Sequence, residues 1–313
     1  MQTDPPNRQV RLRVSARCGT RQQSLRIGDL VYSVPMSERA AASVLSRVQL
    51  ADLILKRLGQ EQARATAEFG QPGRIPSCIL EDVLPCEQAR AIYEAFPPLE
   101  RLVLKRTPGQ LKYVGYQMDT YDPLLEETLY AFQDPRIVRA IGSITGIPEL
   151  LPDDNLYAGG ISLMTRGQYL NPHLDNSHDK DRVNYRVLNL LYYAAPDWQD
   201  DFGGHLELWD QGPGKPRRTI HSRFNRLVVM QTDERSWHSV SRVLHDGRRC
   251  CVSNYYFSPR PAGRDAAYHV TSFRGWPDQK LADIVMRVDN GVRLAVRKIG
   301  GNRLFKNPHV YKK

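Results

Sequence analysis

Arg166-Gly-Gln-Tyr-Leu-Asn-Pro-His-Leu-Asp175 is the stretch on which the reading of this chain turns. It sets His173 and Asp175 two positions apart at the end of an apparent strand. The side-chain period of a strand is two, so both point to one face and one short segment offers two metal ligands. His238, 65 residues further on, supplies a third. Two imidazoles and one carboxylate occupy one face of an octahedral ferrous ion and leave the remaining positions open.

Around this stretch the sequence has the texture of an antiparallel sandwich or barrel. Ile161–Thr165, Val187–Ala194, His205–Trp209, Arg226–Gln231 and Arg249–Phe257 are short aliphatic and aromatic runs. Turn-forming residues bound them, among them Asp200-Asp-Phe-Gly-Gly204, Gly212-Pro-Gly214 and Asp246-Gly247. Strands at this spacing predict a closed or two-layered β core.

In chain order, Arg166–Asp175, Asn189-Leu-Leu-Tyr-Tyr193, Gly203-Gly-His-Leu-Glu-Leu-Trp209, Ser236-Trp-His-Ser-Val240 and Gly247-Arg-Arg249 resemble the Fe(II)/2-oxoglutarate-dependent oxygenases of the prolyl 4-hydroxylase-like type. The similarity is strong over about residues 155–260 and loose over 72–155, where Asp82-Val-Leu-Pro85 matches a lead-in segment. It implies an α+β chain with a mainly β core, a double-stranded β-helix (jelly-roll, cupin-like) with N-terminal helices packed on it and a C-terminal helix. It also implies iron on His173, Asp175 and His238, with 2-oxoglutarate as co-substrate, O2 as oxidant and ascorbate as an accessory reductant. The co-substrate's far carboxylate would meet a cation, for which Arg offers a two-pronged match. Glycine spacing and distance from His238 divide the choice between Arg249 and Arg248. Strand alternation favours Arg249, which shares a face with Cys251, Ser253 and Tyr255. Tyr193 and Asn189 match positions that touch 2-oxoglutarate in some relatives. The intact Asp175 argues for hydroxylation over halogenation, because halogenating relatives lose this carboxylate.

The family pattern often has a carboxylate after the double glycine, where this chain has His205. His205-Leu-Glu207 is therefore the internal competitor as a ligand pair, and His173, in its Gly-Gln-Tyr context, is preferred. His178, His221, His245, His269 and His309 fit no ligand pattern. Asp179, Arg182 and Arg186 follow the ligand triplet where a lid loop would lie, suited to a charged substrate or simply solvated.

Upstream, apolar spacing predicts a helix from Ser37 to about Phe69, with a break at Gly59 open. A short strand follows over Ile75–Pro85, then helices over Cys86–Phe96, Pro123–Phe132 and Asp134–Ile144. Residues 101–118 show no period. Downstream, Tyr268–Trp276 reads as an added strand and turn. Leu281–Ile299 reads as a helix packed on the body through Ile284, Val285, Val288, Val292, Ala295 and Ile299, with Gly291 costing about 1 kcal/mol relative to Ala. The expected organisation is a disordered basic extension over 1–35, a mostly helical part over 36–155, the catalytic β core over 156–260 and a C-terminal extension with a helix over 261–313. The Arg-rich, acid-poor opening reads either as a transit peptide or as sequence ahead of a natural start at Met36, with Ser37 as a helix cap; the second is preferred.

The charge of +10 is terminal. Residues 1–26 carry net +5 and 287–313 net +7, while 27–286 carry −2. That distribution argues for solvated tails and against a nucleic-acid surface. Five cysteines, Cys18, Cys78, Cys86, Cys250 and Cys251, show no CxxC spacing and suit reduced thiols and a cytoplasmic location. No apolar run is long enough to span a membrane. Nothing in the sequence speaks to oligomeric state. The leading expectation is a dioxygenase that hydroxylates an unactivated C–H bond of a small molecule or amino acid-like substrate, with release of succinate and CO2. The alternatives are a peptidyl (prolyl-type) hydroxylase and a non-redox metal-binding β-domain, such as a zinc hydrolase or sensor.

Overall fold

Ser46 opens the first helix of the protein, whose computed structural model describes residues 45–264, 267–300 and 311. Its hydroxyl accepts from the Gln49 amide while the Gln49 side chain accepts from the Ser46 amide, a capping box that satisfies two orphan donors. From it α1 runs Arg47–Phe69, unbroken through Gly59, and buries Leu50, Ile54, Leu58 and Phe69. The expected start at Ser37 lies outside the described residues. Next come β1 (Ser77–Leu80) and α2 (Cys86–Glu94).

Residues 101–118, without a readable period, form a hairpin of β2 (Val103–Thr107) and β3 (Gln110–Gly115). The next two helices, α3 (Pro123–Phe132) and α4 (Pro135–Thr145), each begin with an Asp cap followed by Pro, and Gly146 closes the second in the left-handed region. The strands follow as β4 (Leu151–Pro152), β5 (Gly160–Met164), β6 (Tyr169–Leu174), β7 (Tyr185–Tyr193), β8 (Leu206–Leu208), β9 (Arg218–Ile220), β10 (Arg226–Gln231), β11 (His238–Val240), β12 (Arg249–Ser258) and β13 (Ser272–Phe273). Last comes α5 (Lys280–Gly300).

All the strands join one antiparallel sheet with a main path β1-β10-β7-β12-β5-β3-β6-β11-β8-β9. Residues of β3, β5, β6, β7, β8, β11 and β12 line a single cavity, so the sheet is curled into a half-barrel around it. The outer face carries the helices. Leu188, Leu190 and Tyr192 of β7 and Val252 and Tyr256 of β12 pack in one core with Leu50, Ile54, Leu125, Phe132 and Ile141. Each such side chain, fully buried, contributes roughly 1.5–3 kcal/mol. The alternate residues, Asn189, Leu191, Arg249, Cys251, Ser253 and Tyr255, line the cavity. With both faces buried, these strands read as near-continuous apolar runs.

Two expectations need correcting. In α5 the apolar stripe does not pack on the body: Ile284, Val285, Val288 and Val292 are 57–62% exposed. The docked face is largely polar. Asn290 bonds both the amide and the carbonyl of Phe273, Asp283 pairs with Arg274, and Met286 is buried. Apolar periodicity could not reveal a face held by hydrogen bonds. The second correction concerns the thiols. Cys78, Cys250 and Cys251 are free and buried, whereas Cys86, half-buried at the first position of α2, is disulfide-bonded. Among the described residues, no helix is long and apolar enough to cross a membrane.

One buried side chain pins the lead-in segment to the sheet. Asn225, at φ 57°, accepts from the Leu84 amide and the Tyr192 hydroxyl and donates to the Leu84 carbonyl. Asn225→Ala strands these groups without partners, at about 1–3 kcal/mol each. Chemical denaturation should show a loss of about 3 kcal/mol; a loss below about 1 kcal/mol would mean that water replaces the amide.

Candidate metal centre

His173, Asp175 and His238 come together because β6 and β11 pair with His173 directly opposite His238. Asp175 lies one residue past the end of β6 and turns back toward both rings. His173 Nε2 is 3.8 Å from Asp175 Oδ1, and His238 Nε2 is 3.7 Å from Oδ2. One ligand atom from each residue lies within 4.8 Å of the others, and this is the group of described residues arranged to hold a metal.

The backbone fixes both tautomers. His173 Nδ1 lies 2.9 Å from the Asn171 carbonyl and His238 Nδ1 2.9 Å from the Ser236 carbonyl, so each Nδ1 carries its proton and donates. Each Nε2 lone pair is then left facing the carboxylate, the arrangement expected of ligating imidazoles. Burial, with the neighbouring His238, pushes the His173 pKa down to about 3, so the ring stays neutral. Burial opposes the charge on Asp175, yet His238, Arg186 and His173 together hold its carboxyl below the usual range. Asp175 Oδ2 is buried with no hydrogen-bond partner among the described residues. A buried carboxylate oxygen left bare beside two bare imidazole nitrogens fits a divalent cation.

Arg249 opens β12 and Arg248 lies just before it, and their side chains part. The Arg248 guanidinium lies over the Tyr93 ring, on the side of α2. That of Arg249 is buried in the cavity, where Nε donates to the Gly204 carbonyl and to Ser222 Oγ and the group stacks 4.9 Å from the Tyr193 ring centroid. Gly204, at φ 68°, leaves it room, since a Cβ there would lie 2.9 Å from Arg249 Cδ. The Tyr193 hydroxyl is buried beside this cation, next to Ser222, without a full hydrogen bond. Asn189 donates to the Tyr255 hydroxyl from the same face of β7.

The competing pair is otherwise engaged. His205 Nε2 donates to the Asp200 carbonyl and its Nδ1 accepts from the Ser222 amide, so neither nitrogen is free. Glu207 is taken by Arg217 and Ser239. In place of a carboxylate after the double glycine, this chain has a histidine that braces the loop beneath Arg249.

Among the other cations that line the cavity are Arg186 and Lys112. Arg186, buried on β7, places Nη1 3.7 Å from Asp175 and stacks 4.3 Å over Tyr255. Lys112 reaches in from β3, and burial, opposed by Asp175, lowers its pKa. The position of Lys112 was hidden by the missing period of its hairpin. Asp179 organises the loop above by accepting from the amides of Asp181, Val183 and Asn184, and Arg182 lies over Tyr268 at the mouth.

Residues 159–257 match the sequence profile of the 2OG-Fe(II) oxygenase superfamily. Prolyl 3-hydroxylase OGFOD1 of Xenopus laevis is 36% identical over 84 residues, and that of Mus musculus 31% identical over 87. The aligned parts are 25% and 26% of this chain, and the chain spans only 16% of the length of either relative. A prolyl-4-hydroxylase from Pseudomonas putida superimposes with a TM-score of 0.46 at 17% identity, covering 62% of this chain and 98% of that one.

If His205 only braces the loop, His205→Ala costs about 1–3 kcal/mol of stability and leaves metal uptake intact. Thermal unfolding paired with equilibrium dialysis against Fe(II) under argon separates the two effects. Loss of metal from this variant with its fold intact would make His205 a ligand.

Proposed function

We propose, from the premise that residues 159–257 belong to the 2OG-Fe(II) oxygenase superfamily, that this protein is a 2-oxoglutarate-dependent hydroxylase whose iron is held by His173, Asp175 and His238. The observation that carries the proposal is the pair of bare Nε2 atoms facing the unpartnered Oδ2 of Asp175, with the buried Arg249 in the same cavity. Iron(II) bound there supplies O2 activation, coupled to conversion of 2-oxoglutarate to succinate and CO2 and to insertion of one oxygen atom into a C–H bond. Arg249 receives the far carboxylate of the co-substrate, and its planar fork, already fixed by Gly204 and Ser222, loses little freedom in doing so. The Tyr193 hydroxyl donates to the same carboxylate and Asn189 lines the co-substrate's flank. Leu191 and Cys251 add apolar surface to the lumen.

A non-redox zinc site would use the same three ligands. What favours the oxygenase is Arg249, a buried cation with no task in a hydrolase. The substrate is a small molecule or an amino acid-like group. A peptidyl prolyl residue is the second reading, favoured by the prolyl 3-hydroxylase relatives.

The full-length protein supplied with Fe(II), O2 and 2-oxoglutarate should form succinate slowly even without substrate. Asp175→Ala and His238→Ala should each abolish both this turnover and tight Fe(II) binding. Tight zinc binding without any 2-oxoglutarate consumption by the wild type would sink the proposal. In the second test, Arg249→Ala should raise the KM for 2-oxoglutarate about 10- to 100-fold, the loss of a charge-assisted pair. Arg248→Ala should stay within about twofold. The reverse order would make Arg248 the anchor.

A further inference from the structure

The strand β3 places Gln110, Lys112 and Val114 on the cavity wall, while Tyr113 between them turns to the helical core. Lys112 thus carries its ammonium into the lumen. Among the described residues it has no hydrogen-bond or ion-pair partner, and its titratable neighbours include Asp175, Arg249, Cys251 and Lys105. Lys112 is half-buried, and an unpartnered ammonium facing the lumen of a cavity favours an anionic ligand over a neutral one.

The formal charges of the loaded site point the same way. A ferrous ion, the 2-oxoglutarate dianion, the Asp175 carboxylate and the Arg249 guanidinium sum to zero. The remaining cavity-lining cations, Arg186 and Lys112 on the walls with Lys105, Lys180, Arg182 and Arg293, then leave positive charge over, and of the first two only Arg186 lies against a carboxylate, Asp175. The other cavity-lining carboxylates, Asp179 and Asp181, are spent at the mouth: Asp179 on loop amides, and Asp181 on Lys180. The cavity, about 690 Å³, is of the size of a small-molecule site.

We propose that the primary substrate is a small molecule bearing an anionic oxygen group, a carboxylate or a phosphate, and that Lys112 of the β2–β3 hairpin is its anchor, distinct from the Arg249 subsite for 2-oxoglutarate. The inference rests on the function proposed above and narrows its substrate class. Lys112 acts by charge and reach, with Gln110 beside it to donate a hydrogen bond. It sorts substrates because a neutral ligand would leave the ammonium unpaired. A peptidyl residue, whose carboxyl is an amide, offers Lys112 no charge.

The test uses the full chain loaded with Mn(II) and saturating 2-oxoglutarate, which binds ligands without turnover. The probes are a panel of small carboxylic acids and phosphate monoesters, each beside its neutral amide or alcohol. Ligand-observed NMR should give binders among the anions, with neutral counterparts weaker by about tenfold or more. Carboxylates and phosphates in the panel distinguish the two sources of the anion. Lys112→Met should bring each acid-to-neutral ratio to within about twofold, while calorimetry shows 2-oxoglutarate affinity within about threefold of wild type. Lys112→Arg should restore the preference, which a role for Lys112 as a proton carrier would not allow. Neutral ligands binding as well as anions, a panel without a single anionic binder, or a ratio unmoved in Lys112→Met would each overturn the inference and leave the oxygenase proposal standing. Failure of the wild type to bind 2-oxoglutarate would remove that proposal, and this inference with it.

Discussion

The pairing of β6 with β11 is the constraint on which the site depends. It sets His173 opposite His238, and the ladder is irregular immediately beyond, between His238 and Val240. A slip of one residue would turn one imidazole out of the lumen, because strand side chains alternate. The register is held from both sides: β8 pairs with β11 at Leu208–His238, and β13 pairs with β6 at Phe273–His173. The Phe273 ring then stacks on His173. A metal geometry built on strands is stiffer than one built on loops. Of the three candidate ligands, only Asp175 stands outside a strand, and it is the one pressed between the two rings and Arg186.

The two faces of β7 and β12 divide the labour between stability and chemistry. Their outer residues join the core under α1, α3 and α4, while their inner residues line the cavity with groups poorly suited to a core, such as Asn189, Arg249 and Tyr255. The helical layer is therefore part of what lets the lumen be polar. It supplies the apolar burial that a sheet with a functional inner face cannot, and Asn225 ties its lead-in segment to the strands.

Within the lumen, electrostatics rank the groups. A neutral His173, a carboxylate kept ionised and a stacked Arg249 form a set whose charges complement a divalent cation and a dicarboxylate. Lys112 and Arg186 lie outside that balance, and the β2–β3 hairpin supplies one of them. A hairpin whose inner face carries Gln110 and Lys112 loses the apolar alternation that marks a strand. The feature that hid it in the sequence is the one that gives the cavity its extra charge.

The sequence by itself determined the local chemistry. His-x-Asp at a strand end, the double glycine, the order of the motifs and the parity of Arg249 with Cys251, Ser253 and Tyr255 are all short-range facts, fixed by a side-chain period of two. The helices α3 and α4 were legible for a similar reason, since apolar spacing is a property of one short segment. What only the tertiary structure decided is which distant groups meet. His205 was engaged by Asp200 and Ser222, Arg248 was sent to Tyr93, and Lys112 was brought into the lumen from 61 residues before His173. The apolar stripe of α5 was left in the open because Asn290 and Asp283 dock the other face. Periodicity reports where apolar groups recur along one segment, whereas a hydrogen bond or an ion pair forms with whatever the fold brings within about 3 Å.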